Sequence, residues 1–328
     1  MPQSMTHNLH IPLEIILQIL ESSIPSGNPG RILSVSTPDI QLLVAWARVC
    51  RATYEPATRF LRQYCVHIDS QLRLGTFLKC LTYSQTLEES GEASTLPKTI
   101  SLSKISSIYF GLSEKEIRLV RTNALLRDVL IKLGGSVRRL ILDLPFRKVG
   151  HLYSTENHID VIYQQGLRAL SNLEELVTLG GLPALEFWRS ELDISSVWPK
   201  LRRVAGFKIN LSEEALWYNM ARHRNIAHLV VVMPYLLRRE RWNIKEAIAG
   251  REWNSDLGGD STYARPLKIV VAHHEYSSRM VDTRDGDIHD PSGFLDVSVF
   301  NIPVLAKRID YVCLEWLIRT AKEGTLWK

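Results

Sequence analysis

One short pattern returns five times between residues 137 and 270: an apolar residue, two others, an apolar residue, and then an apolar or alternating run. It reads Val137-Arg138-Arg139-Leu140 before Ile141-Leu142-Asp143-Leu144, then Leu173-Glu174-Glu175-Leu176, then Leu201-Arg202-Arg203-Val204. It returns as Ile226-Ala227-His228-Leu229 before Val230-Val231-Val232, and as Leu267-Lys268-Ile269-Val270. The starts lie 36, 28, 25 and 41 residues apart. Further strands are expected at 65–69 and 99–103. Helix-like segments lie between the strands, at 72–81, 114–133 (with Ser113 as cap), 156–170 and 212–223. A strand–helix unit of this length cannot bury its apolar face alone, so each unit is expected to stack on the next. The fold class read from this is α/β, with the strands near 137–144, 173–179, 201–207, 226–233 and 267–273 parallel and adjacent. A single-sheet α/β domain of another kind is the alternative.

The first 68 residues follow a different period. Residues 11–21 read as a helix, with Pro12 in the first turn, where a missing N–H is harmless. Glu14, Gln18, Glu21 and Ser22 fall on one polar arc, and Leu13, Ile15, Ile16, Leu17, Ile19, Leu20 and Ile24 fill roughly 200° of the wheel. A helix on a single core needs about half of that. A second apolar contact is therefore expected, with Leu13, Ile16 and Leu20 as one face. Thr37, Pro38 and Asp39 open a second helix through Arg51, and a third is expected to start near Pro56. The stretch Ser26-Gly27-Asn28-Pro29-Gly30 reads as a loop.

Ile11-Pro12-Leu13-Glu14-Ile15, Ile19-Leu20, Leu42-Leu43 and Val49-Cys50-Arg51 resemble the F-box motif, and the stretch from Val49 to Ile68 is similar to the way filamentous-fungal F-box proteins leave it. The resemblance covers residues 9–68. Leu20 and Leu42 stand 22 positions apart, more than that motif usually has. The extra loop either leaves docking unchanged or alters the docking surface. The resemblance implies docking on a Skp-type linker subunit bound to a cullin scaffold. Its implied contact residues are Ile11, Pro12, Leu13, Ile15, Ile16, Ile19, Leu20, Leu42, Leu43, Val49, Cys50 and Arg51. The strand–helix units look like a degenerate leucine-rich repeat, a common companion of an F-box, although no unit carries the full consensus with its Asn. The expected organisation is an F-box-like helical domain (9–68), an irregular leucine-rich-repeat-like α/β solenoid (69–300), and a C-terminal helix (301–328) that caps the last repeat. An ordinary helical cap on the repeats is the competing reading of 9–68.

Composition narrows the function classes. Hydrophobic residues make up 45% and charged residues 23%, as in ordinary globular chains. No apolar run approaches the roughly 20 residues of a membrane span, and the polar first ten residues do not read as a signal peptide. The expected location is cytoplasmic or nuclear. Cys50, Cys65, Cys80 and Cys313 form no C-x-x-C pair and are expected to be buried or half-buried free thiols. The net charge of +5 admits nucleic acid. However, Arg138-Arg139, Arg202-Arg203 and Arg238-Arg239 are dispersed, and the first two pairs are expected at solvated strand positions. No G-x-S-x-G frames a nucleophile. Gly134-Gly135, Gly180-Gly181 and Gly258-Gly259 suit turns or helix ends better than phosphate loops. The acidic stretch 282–290 interleaves Arg284 with its carboxylates and departs from a calcium loop. The expected function is a substrate-recruiting adaptor of an SCF-type ubiquitin ligase, not an enzyme, with an unknown client and no cofactor or metal. The alternative is a nucleic-acid-binding or ligase-independent protein-interaction repeat protein.

Overall fold

The computed structural model describes residues 11–23, 31–89, 105–149, 159–181, 197–210, 225–234, 267–273, 295–302 and 308–328, with Leu216, Met220 and His223. Three helices come first: α1 (Leu13–Ser22), α2 (Pro38–Val49) and α3 (Arg51–Tyr64). Strands and helices then alternate through β1 (His67–Ile68), α4 (Gln71–Glu89), β2 (Ser107–Gly111), α5 (Glu114–Ile117), α6 (Val120–Leu133) and β3 (Arg139–Asp143). They continue through α7 (Phe146–Val149), α8 (Ile159–Arg168), β4 (Glu175–Thr178), β5 (Arg203–Phe207) and β6 (His228–Val232). The chain ends with β7 (Leu267–His273), β8 (Leu295–Asn301) and α9 (Ile309–Glu323).

The strands form one sheet in the order β1-β2-β3-β4-β5-β6-β7-β8, every neighbouring pair parallel. The recurrent motif explains this order. Its first apolar position, at Val137, Leu173, Leu201 and Ile226, is wholly buried where the chain turns into each strand. The fourth position, at Leu140, Leu176, Val204 and Leu229, is in register across β3 to β6 and packs with Leu126, Leu130, Tyr163 and Leu167 of the crossover helices. The fifth, at Ile141, Val177, Ala205 and Val230, points to the opposite face, as the period of two requires. A parallel sheet with crossovers on one face needs a cover on the other.

That cover is α9. Cys313, Leu317 and Ala321 are buried in the cluster of Tyr109, Ile141, Val177, Ala205 and Val230. Its 15 residues extend roughly 22 Å at 1.5 Å per residue. The span from β2 to β6 is about 19 Å at about 4.8 Å per strand, so the helix is long enough to cross it. Around its C-terminal end, the Trp327 indole N–H donates to Glu175 at 2.9 Å, and Glu175 also pairs with Arg203 (2.6 Å) and Arg139 (3.3 Å). The Arg139 guanidinium donates to the Ala321 carbonyl. The Lys322 ammonium lies 3.9 Å from the Tyr109 ring centre.

Several expectations are corrected. The C-terminal helix does not cap the last strand but lies on the sheet face, because that face is as apolar as the one the crossovers cover. Arg139 is not solvated: it is buried in the ion pair under α9, whereas Arg138 is exposed. The third helix begins at Arg51, with Pro56 inside it, because Thr53 secures the start by donating to the Trp46 (2.7 Å) and Cys50 (3.1 Å) carbonyls. The single helix expected over 114–133 is two, and the Asn123 amide satisfies the freed Ile117 and Leu119 carbonyls at the break. Cys50 and Cys80 are exposed rather than buried. Gly134 does end α6, where an added Cβ would come 2.2 Å from the Ala169 carbonyl oxygen. The strand expected at 99–103, most of the helix at 212–223, Arg238-Arg239, Gly258-Gly259 and the acidic stretch 282–290 lie outside the described residues. The second and eighth strands, at Ser107–Gly111 and Leu295–Asn301, went unread in the sequence.

Leu317→Ala is expected to lower unfolding free energy by about 2–5 kcal/mol, whereas Tyr311→Ala on the exposed side of α9 should change it by under about 0.5 kcal/mol. Urea titrations of the two variants measure both.

Candidate docking surface on the N-terminal helices

The three N-terminal helices enclose a small core of their own. Leu20 from α1, Ile40 and Leu43 from α2, Ala57 from α3 and Leu33 from the connection are buried together, with Trp46, Phe60, Leu61 and Tyr64 packed around them. Both α1 and α2 lie against α3. The connection into α2 also ties this unit to the sheet. Adjacent extended residues point in opposite directions: Leu33 enters the helical core while Ile32 enters the cluster under α9. The Leu33 amide donates to the Tyr64 carbonyl at 2.6 Å, and the Ile32 amide donates to Lys322 of α9 at 2.8 Å.

Apolar side chains remain on the outside. On α1, Ile15 and Ile19 are each 44% exposed, one turn apart, with Ile11 and Leu13 exposed at the start. On α2, Leu42 is 40% and Val49 63% exposed, about 20° apart on the wheel, on the side opposite Ile40 and about 100–120° round from Leu43. Thus the twelve residues read from the sequence divide. Ile11, Pro12, Leu13, Ile15, Ile19, Leu42, Val49, Cys50 and Arg51 are exposed and Ile16 is half-buried. Leu20 and Leu43 are fully inside, so they hold the unit together and offer nothing to a partner. The face grouped as Leu13, Ile16 and Leu20 therefore runs from exposed Leu13 through half-buried Ile16 to buried Leu20, and Ile11, Ile15 and Ile19 form a further exposed row. Val44, also exposed, was missed; a wheel drawn for α2 around Ile40 and Leu43 places it at the core boundary.

The junction of α2 and α3 is tightly specified. The Cys50 amide donates to the Thr53 hydroxyl at 3.4 Å, and the Cys50 thiol lies 3.5 Å from the same oxygen. That hydrogen bond holds the Cys50 pKa below its ordinary value. Burial instead pushes the Cys65 thiol up to about 11. Among the described residues no group of three or more His, Cys, Asp or Glu side chains is placed to hold a metal, and no helix is long and apolar enough to cross a membrane.

Compared with known proteins, the chain matches no family model, no curated protein and no solved structure.

The division between inner and outer residues has a direct test. Leu20→Ala should cost about 2–5 kcal/mol by opening a cavity. Ile19→Ser, one residue earlier and already in solvent, should cost under about 1 kcal/mol. Equal losses in thermal unfolding would show that Ile19 is also a core residue.

Proposed function

We propose that this chain is a substrate-recruiting adaptor of an SCF-type cullin-RING ubiquitin ligase, with α1 to α3 as its F-box and the parallel sheet as an irregular leucine-rich-repeat-like solenoid that presents a client-binding surface. The observation that carries the reading is the set of exposed aliphatic side chains, Ile15 and Ile19 on α1 with Leu42 and Val49 on α2, on a unit whose core is already complete without them. Apolar residues left outside a closed core suit a partner's groove. The ordering of neighbouring strands, each beside the next in sequence, supports the repeat reading of the remainder.

In this role the Skp-type linker subunit takes the α1 and α2 side chains, the cullin scaffold follows through that subunit, and the sheet domain holds the client. Ile32 and Leu33, which lead into α2, fasten that end of the connection to both cores.

Burying one such side chain is worth roughly 1.5–3 kcal/mol. Ile15→Asp with Ile19→Asp removes two and places carboxylates in an apolar groove, so binding of the Skp-type subunit should fall at least about a hundredfold. Unfolding free energy should stay near the parent value. Co-purification with that subunit and the cullin at the parent's yield would refute the adaptor reading. Binding of a nucleic acid by the parent chain, with an affinity that falls steeply with added salt, would favour the nucleic-acid reading instead.

A further inference from the structure

We propose that the groove between α4 and α6 is a peptide-binding site that takes a short acidic segment with one bulky apolar side chain, the segment of the client under the recruiting role above. The groove encloses about 830 Å³, within the size range of ligand sites. Its large apolar lining is Leu72, Leu78, Tyr83 and Leu125, and its formal charges are Lys79 and Arg121, both positive. Leu72 is 81% and Tyr83 63% exposed, so two large side chains of α4 stand in solvent beside the groove rather than inside the fold.

Three features favour this occupant. The first is charge: Lys79 and Arg121 belong to no ion pair among the described residues, and a segment carrying carboxylates supplies both partners. The chain's net charge of +5 draws the same kind of segment from a distance. The second is the other polar groups. Thr76, Thr82 and Thr86 line the groove, but their hydroxyls donate back to carbonyls of α4 at 2.9–3.1 Å. Electrostatic selectivity therefore falls to the two cations. Glu116, which approaches this end of α4, is held by the Gln71 and Ser113 amides.

The third is Gly75 on α4, in the groove lining. Glycine weakens a helix relative to alanine, and neither conformation nor packing demands one here. Its φ is not positive, and an added Cβ would meet only Leu125 Cδ1, at 3.9 Å, an ordinary contact. The missing side chain deepens the groove instead of serving the helix.

Selection of random short peptides displayed on phage against the full chain tests the site without any ligase subunit. Enriched peptides should carry one Leu, Phe or Trp flanked by Asp or Glu. A synthetic copy of the best peptide, followed by fluorescence anisotropy, should bind at least about tenfold more weakly to Lys79→Glu with Arg121→Glu, an effect of about 1.4 kcal/mol. Gly75→Leu should abolish binding while raising Tm by about 2 °C, since leucine favours the helix. The proposal is overturned if nothing is enriched, if the enriched peptides are basic, or if they bind the charge-reversed chain as well as the parent. If Gly75→Leu fails to fold, the charge-reversed chain decides alone. The Skp-type interaction is read separately through Ile15 and Ile19, so either reading can fail while the other stands.

Discussion

A parallel sheet carries two apolar faces that both need cover, and in this chain α4, α6 and α8 pack on one of them. The other face runs through Tyr109, Ile141, Val177, Ala205 and Val230, and α9 closes it with Cys313, Leu317 and Ala321. Buried charge is tolerated at the margin of this contact because Arg139 meets both Glu175 and the Ala321 carbonyl, while Glu175 also accepts from Trp327. The last residues of the chain thereby fix strands contributed from its first half.

The same contact reaches the N-terminal helices. Ile32 is packed under α9 and its amide is bonded to Lys322, while Leu33, pointing the other way, is a core residue of the three-helix unit. Two consecutive residues thus join three parts of the molecule. The apolar sides of α1 and α2 left over after this joining are surplus to folding. The adaptor reading rests on that surplus.

Much of this was legible in the sequence, and the reasons are specific. The sheet was read because the first four repeats set an apolar residue at the strand entrance and at the helix-facing position, as at Leu173 and Leu176, whereas in the fifth Val270 pairs with Val230 and packs on the α9 side. Ser107–Gly111 carries the same entry pattern, as Ile105-Ser106-Ser107-Ile108 with both isoleucines buried, and was overlooked, as was Leu295–Asn301. The position of α9 could not be read, since an amphipathic helix suits a cap and a sheet face equally and its partners are far away in sequence. Arg139 looked like a solvated strand residue because Glu175 is 36 positions off and the Ala321 carbonyl 182. The seven apolar residues between Leu13 and Ile24 implied a second contact, but the wheel has no origin without a structure. Leu20 was therefore placed on the docking face, and Ile15 and Ile19 entered only among the twelve contact residues that the F-box resemblance implies.

The central claim is that α1 and α2 dock while the sheet and α9 remain a closed body. Hydrogen–deuterium exchange on the full chain, alone and with a Skp-type subunit, tests it most directly. Amides of 13–22 and 38–49 should become protected, and those of β3 to β6 and of α9 should be unchanged. Protection confined to the strands or α9, or none anywhere, would contradict the account.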